Sequence, residues 1–201
     1  MTTIGVLLAA GEGSRFVGPA HKLLTRLGDK TVVRWSVDAL IGAGFDATAI
    51  VVGAIDLVEQ IPASMAIIEN PNWREGQATS LDLAVSFAKR HGHDVLVVGL
   101  ADQPLVPSSA WRSVAGERSH PIVTANFAGR RRPPVRLSSE VWEFLPREGD
   151  EGARVLIQAH PELVTEVACA GEPIDIDSAQ DLEAAAVILI GSVGVDDLRR
   201  E

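Results

Sequence analysis

Hydrophobic positions along the 201-residue chain follow two rhythms. Compact apolar runs rich in Val, Ile and Leu fall at 4–10, 47–53, 65–69 and 94–100. Their near-continuous apolarity predicts strands covered on both faces, as in a parallel sheet. Helical patterns separate them. The segment 31–43 opens on Thr31 as a candidate N-cap and stops before Gly44. The segment 80–90 places Leu81, Ala84, Val85 and Ala88 on one helical face. This alternation predicts an α/β three-layer domain with a mostly parallel sheet.

The second half is less regular. Segments 121–127 and 133–137 read as strands, antiparallel, around a basic loop. Segments 138–145 and 151–160 read as helices, and 163–168 and 173–177 as short strands. Ser178 opens a last helix with Asp181 three residues on, close to a capping box. No repeat or linker divides the chain. We expect one domain over 1–190 and a polar, frayed tail over 191–201.

Composition narrows the function classes. Hydrophobic residues make up 46%, enough at this length for one ample core. A net charge of -9 argues against a nucleic-acid or anionic-membrane partner. An anionic substrate must therefore be held by a few local positive groups. Cys169 is the sole cysteine, so no intramolecular disulfide forms, which fits a reducing, cytoplasmic setting. No basic residue precedes the 4–10 run, which reads as a buried strand and not a signal peptide. The weakly polar stretch 184–195 is too short to span a bilayer.

Candidate chemistry begins at the end of the first strand, in Ala9-Ala10-Gly11-Glu12-Gly13-Ser14-Arg15. Glycines let backbone N–H groups turn toward phosphate oxygens, and Arg15 and Lys22 offer charge. Phe16 stands where a dinucleotide fingerprint has its third glycine, and Lys22 lies outside a Walker pattern. An ordinary βα turn with solvated charges fits the same residues. Asn70-Pro71-Asn72-Trp73-Arg74-Glu75-Gly76-Gln77-Ala78-Thr79-Ser80-Leu81 lies between a strand and a helix. Its amides and hydroxyls suit a base edge or a ribose, and equally a plain helix cap. The 94–100 run ends in Ala101-Asp102-Gln103-Pro104, where an acidic residue can hold Mg²⁺ or cap a turn. Strand alternation would put Asp175 and Asp177 on one side of the chain. With Asp102 they could form a hard oxygen site.

These segments, in this order, resemble the MobA-like NTP transferases. The first loop with His21-Lys22-Leu23-Leu24 is similar to that family's opening signature. Its Ala9-Ala10-Gly11 variant looks most like molybdenum cofactor cytidylyltransferases. The Asn70–Leu81 stretch, Asp102-Gln103-Pro104, Gly149-Asp150-Glu151-Gly152-Ala153-Arg154 and Asp175-Ile176-Asp177-Ser178 match in turn. The resemblance implies a Rossmann-like fold of the nucleotide-diphospho-sugar transferase type. It implies CMP transfer from CTP to the phosphate of molybdopterin, with Mg²⁺, and a client molybdoenzyme as a further partner. It implies a nucleotide site of Leu8, Ala9, Ala10, Gly11, Glu12, Gly13, Arg15, Lys22, Asn70, Gly76 and Ser80, with Gln77 nearby. Lys22, Arg15 and Asp102 become the catalytic candidates. Asp102 and Asp177, supported by Asp175, become the metal candidates, and Arg154 the acceptor candidate.

One departure is Gly129-Arg130-Arg131-Arg132-Pro133-Pro134-Val135, where relatives usually carry Gly-x-x-Gly-His-Pro-Val. Three arginines there either collect an anionic acceptor or form a solvated loop. Three other functions stay open: guanylylation of an acceptor such as 2-phospholactate, a non-catalytic molybdopterin chaperone, and a dinucleotide-dependent oxidoreductase.

Overall fold

The structure is a computed structural model and describes residues 1–18 and 20–197. Strand β1 (Thr3–Ala9) leads through a long loop and a 3₁₀ turn at Lys22–Leu24. A small hairpin of β2 (Arg26–Leu27) and β3 (Lys30–Thr31) follows, then helix α1 (Val32–Ala43). Next come β4 (Ala47–Val52), β5 (Ala66–Glu69), α2 (Gln77–Arg90) and β6 (Val95–Leu100). The second half holds α3 (Ser108–Gly116), β7 (Ile122–Phe127), β8 (Arg130–Ser138), α4 (Arg154–Ala159), β9 (Val164–Ala168) and α5 (Ala179–Asp197).

Seven strands form one sheet in the order β5-β4-β1-β6-β8-β7-β9. All neighbours pair parallel except β8, which runs antiparallel to both β6 and β7. Alternation along the central strands splits the core in two. Leu7, Ile50 and Val97 point to the face covered by α1, α3 and α5, against Val33, Leu40, Trp111 and Ala185. Val6, Val51 and Leu96 point to the other face, against Leu81, Ala84 and Val85 of α2 and Leu156 of α4. Burying each such side chain is worth about 1.5–3 kcal/mol, so both helical layers are firmly held. This is the expected three-layer, mostly parallel fold.

From β1 the chain steps outward to β4 and β5, then returns to pair β6 on the other side of β1. That reversal opens a crevice between the carboxyl ends of β1 and β6, where ligands bind in open α/β sheets. Leu8 pairs Leu100, so the loops after these strands emerge side by side.

Several boundaries differ from the sequence pattern. Helix α2 starts three residues before Ser80, because Gly76 ends the preceding 3₁₀ turn at Trp73–Glu75. The 138–145 segment is a 3₁₀ turn over Ser139–Phe144. Within 151–160 only Arg154–Ala159 is α-helical. Residues 173–177 are not a strand; a backbone bond from Ile176 N–H to the Asp102 carbonyl, 3.0 Å, holds them instead. The three arginines are not a loop. They open β8, where Arg131 pairs with Asn126 and Arg132 with Ala125 of β7. Helix α3 lacked an apolar run long enough to announce itself. Helix α5 does start after Ser178, whose hydroxyl accepts from Asp181 N–H at 3.3 Å. The helix continues through 191–197, and residues 198–201 of the expected tail lie outside the described residues.

Candidate active site

A cleft of about 780 Å³ opens over the carboxyl ends of β1 and β6. Every residue expected from the first loop lines it: Leu8, Ala9, Ala10, Gly11, Glu12, Gly13, Arg15 and Lys22. So do Gly76, Gln77 and Ser80 from the start of α2, Asp102 after β6, and Asp175, Asp177 and Arg154. Residues from five separate segments thus meet in one place.

Gly13 has φ +64°, and a Cβ there would lie 3.0 Å from His21 Nε2 and 3.1 Å from Lys22 Cγ. The loop can double back over the Lys22 turn only with glycine at that point. His21 fastens the fold-back. Its Nδ1 accepts from Leu23 N–H at 3.2 Å, so the proton sits on Nε2, which faces the Gly11 carbonyl at 3.3 Å. Burial lowers the His21 pKa, consistent with this neutral tautomer.

Lys22 is buried at 9% relative exposure, yet it keeps its charge. Its Nζ donates to Asp102 Oδ2 at 2.6 Å and to Asp177 Oδ1 at 2.9 Å. Burial pulls its pKa down most strongly, but Asp102 and then Asp177 outweigh it, and the net shift is upward. Arg15 reaches Asp177 Oδ2 at 3.0 Å from a largely exposed position. Exposed pairs of this kind contribute little to stability. Asp175 takes a different partner, accepting from Gln103 Nε2 at 2.8 Å. Burial, and then the neighbouring Asp102, push its carboxyl pKa up.

The carboxylates bear on metal binding. Among the described residues no three Asp, Glu, His or Cys side chains converge into a closed metal cage. Two carboxylates already gathered around one cation, the Lys22 ammonium, nonetheless offer a hard-oxygen donor set. Magnesium is typically held by one or two carboxylates together with substrate phosphates and water. Asp102 and Asp177 fit that description, with Asp175 beside them.

Asn70 departs from its expected role. It is buried at 2% and does not line the cleft. Its Nδ2 donates to Thr79 and Ser80 hydroxyls, both at 2.9 Å, and its Oδ1 accepts from Asn72 N–H. With those groups used internally, Asn70 ties the end of β5 to the start of α2 and leaves the substrate to its neighbours. Gly76 also has a packing role. A Cβ there would lie 2.4 Å from the Gly149 backbone, so glycine lets the 149–154 segment lie against α2. Backbone bonds from Ala78 N–H to Gly149 O and from Gly149 N–H to Glu75 O lock that contact.

Sequence reasoning missed Trp73 and Arg74 as cleft residues. The Arg74 guanidinium lies 4.2 Å over the Trp73 ring, and both line the cleft wall. Their adjacency in a turn carries no periodic signal. Asp150 was seen only as part of a motif, and it also borders the cleft.

The sequence profile of the MobA-like NTP transferase domain matches residues 5–164. The chain belongs to this family of nucleotidyltransferases. The match includes Lys22 and Asp102, whereas Asp175 and Asp177 lie beyond it. In sequence, the chain is 28% identical over 193 residues to nicotine blue oxidoreductase of Paenarthrobacter nicotinovorans, covering 89% of this chain and 93% of that one. In structure, it superposes on a nucleotidyl transferase from Methanothermobacter with TM-score 0.83 at 21% identity, covering 95% and 99% of the two chains. A Mycobacterium tuberculosis protein solved in complex with manganese superposes with TM-score 0.74 at 25% identity, covering 92% and 98%. No helix among the described residues is long and apolar enough to cross a membrane.

Proposed function

We propose that this family member transfers CMP from CTP to the phosphate of a molybdopterin-type acceptor in the cytoplasm. The observation that carries the reading is the Lys22 ammonium, held by Asp102 and Asp177 at the mouth of the Gly11–Gly13 loop. A buried lysine whose charged form is favoured by Asp102 and Asp177, beside turned amides, is suited to a triphosphate. An acceptor phosphate oxygen attacks the α-phosphorus in line. The new P–O bond forms as the α–β bridging bond breaks, and its electron pair leaves with pyrophosphate. The attacking oxygen is already ionised, so no strong general base is needed.

Lys22 and Arg15 neutralise the phosphates as charge moves toward the leaving group, and the loop amides fix their position. A divalent cation, Mg²⁺ in our reading, would be held by Asp102 and Asp177 with Asp175 in support, and supplies charge neutralisation at the phosphate oxygens. The manganese-bound relative supports a divalent metal in this setting. Preference for CTP rests on Ala10. Ala10 lines the cleft, and its methyl packs into the core beside Gly53, where an added Cβ would lie 2.9 Å from it, so the wall behind the base has no spare room.

Pyrophosphate release from CTP or GTP with molybdopterin tests the reading, with Mg²⁺ supplied and then chelated. Release only with both substrates present is expected. Binding of molybdopterin without turnover would turn the protein into a cofactor chaperone. One observation favours a second reading, the oxidoreductase name of the Paenarthrobacter relative. Against it stands Phe16 in place of a third fingerprint glycine. Oxidation of NADH or NADPH with no pyrophosphate release would establish it.

A further inference from the structure

Cations of the chain itself already engage most of the carboxylate oxygens of Asp102 and Asp177. The Lys22 ammonium takes Asp102 Oδ2 at 2.6 Å and Asp177 Oδ1 at 2.9 Å, and the Arg15 guanidinium takes Asp177 Oδ2 at 3.0 Å. Among the described residues, Asp102 Oδ1 alone of these oxygens has no such partner. These are the same oxygens that a divalent cation would use. A dication bonded to Asp102 Oδ2 would lie within about 5 Å of the Lys22 Nζ, because Mg²⁺–oxygen bonds are about 2.1 Å long. Like charges at that range repel strongly in a part-buried cleft. Lysine and metal therefore compete for one pair of carboxylates.

The two cations hold unequally. The Lys22 side chain is 11% exposed, and an ammonium that leaves its carboxylates there loses its partners without gaining full hydration. Arg15 is 80% exposed and exchanges its contact for water at little cost. The backbone of Lys22 is fixed by its turn, in which Thr25 N–H bonds the Lys22 carbonyl at 3.3 Å and Leu23 N–H bonds His21 Nδ1. The flexible four-carbon stem leaves only the ammonium free to swing. That swing needs an anion to receive the charge, and the Gly11–Gly13 loop lines the cleft beside it.

We propose that Lys22 is an internal counterion that closes the Asp102–Asp177 pair to free divalent cations until an anionic polyphosphate draws its ammonium away. Metal and nucleotide then bind as a coupled pair, each raising the affinity for the other. No metal-loaded resting state precedes the nucleotide. The inference rests on the nucleotidyl-transfer reading for the identity of the anion, and on the ion pairs alone for the competition.

Binding of Mn²⁺ alone, followed by loss of the free-ion electron paramagnetic resonance signal, tests the counterion without nucleotide or turnover. Lys22→Met keeps the stem and removes the charge. It should bind Mn²⁺ about tenfold more tightly than the parent chain, the low end of the effect of a like charge about 4–6 Å away. Lys22→Arg keeps the charge and should bind like the parent. Arg15→Gln should gain about threefold at most, as its pair is exposed. Lys30→Met removes an equal charge from the pair with Asp38, outside the cleft, and should change nothing.

Titration of CTP in EDTA reads the same competition from the other side and leaves Lys22 in place. Asp102→Asn loosens the hold on Lys22 and should bind metal-free CTP about tenfold more tightly than the parent. Asp175→Asn removes a cleft carboxylate that bonds Gln103 and not Lys22, so its gain should be about threefold at most. If Lys22→Met does not fold, this comparison decides alone.

Mn²⁺ binding by Lys22→Met no tighter than by the parent, an equal gain in Lys30→Met, or equal CTP gains in Asp102→Asn and Asp175→Asn would overturn the counterion. Those results leave the nucleotidyl-transfer reading standing, since pyrophosphate release by the parent chain decides it. A Lys22-dependent gain in Mn²⁺ affinity with no pyrophosphate release from any NTP would keep the counterion and overturn that reading.

Discussion

The Lys22 ammonium lies 2.6 Å from the Asp102 carboxylate, although 80 positions separate them in sequence. Parallel pairing of β1 with β6 brings their following loops together, and the pair closes across that seam. In the proposed reaction, a triphosphate and its metal would need a cation and an anion at this point.

Removing the anion should stop the reaction and spare the fold. Asp102 is only part-buried, and Lys22 keeps Asp177 as a partner when Asp102 is lost. Asp102→Ala is expected to abolish pyrophosphate release while the thermal midpoint moves by only a few degrees. Near-parental rates at saturating Mg²⁺ would remove Asp102 from the metal site.

Removing the cation should act on the chemical step. Lys22→Ala is expected to lower kcat about a hundredfold, as for loss of one positioned donor at about 3 kcal/mol. The KM for the NTP should change less. Steady-state kinetics separate the two, and a pure KM effect would make Lys22 a ground-state binder.

The pH dependence should trace to His21. Burial lowers its pKa below the ordinary value of about 6.5. The unfolded chain therefore takes up this proton more readily. The stability contributed by neutral His21 is complete above the unfolded value and is lost as pH falls through the folded one. Protonation also puts a hydrogen on Nδ1, which must accept from Leu23 N–H. KM for the NTP should rise in mildly acidic buffer for the parent chain. His21→Gln, which keeps a donor and an acceptor without titrating, should flatten that rise. An unchanged acid limb in the variant would assign the effect elsewhere.

Base choice should turn on one methyl group. Ala10→Gly opens the wall against Gly53 and is expected to shift kcat/KM toward GTP by about tenfold, within the range of one-methyl discrimination. Comparison of CTP and GTP with one acceptor reads this directly. If the parent chain already prefers GTP, the guanylyl reading takes precedence.

Gly76→Ala should be a folding mutation with an acceptor phenotype. Its φ of +107° is strained for alanine, and the new Cβ meets the Gly149 backbone. A cost of about 2 kcal/mol would lower the thermal midpoint by about 6 °C in a chain of this size. The displaced 149–154 segment carries Arg154, so acceptor KM should rise as well. A thermal midpoint equal to the parent's would mean that the contact yields more easily than its geometry implies.

The sequence by itself determined the strands 4–10, 47–53 and 94–100, because burial on both faces leaves an unbroken apolar run, and it marked 65–69 by its apolar residues although that edge strand leaves Ile67 and Glu69 exposed. It also determined the loop residues from Ala9 to Arg15, because glycine spacing after a strand reports a backbone that must turn. The tertiary structure decided what each polar group does. Asn70 and Ser80 sit in one motif, yet internal bonds use up the Asn70 amide and leave Ser80 on the cleft wall. Asp175 and Asp177 reach the cleft without the strand their spacing suggested, because Gln103 and the Asp102 carbonyl hold the segment in place. Three adjacent arginines look alike in sequence. Arg130 pairs with Glu172 and Arg131 with Glu166, while Arg132, set before the bulge at Pro133-Pro134, forms no ion pair among the described residues. Periodicity records which side of an element is buried. The partner a charge finds depends on residues far away in the chain, and no local pattern encodes that.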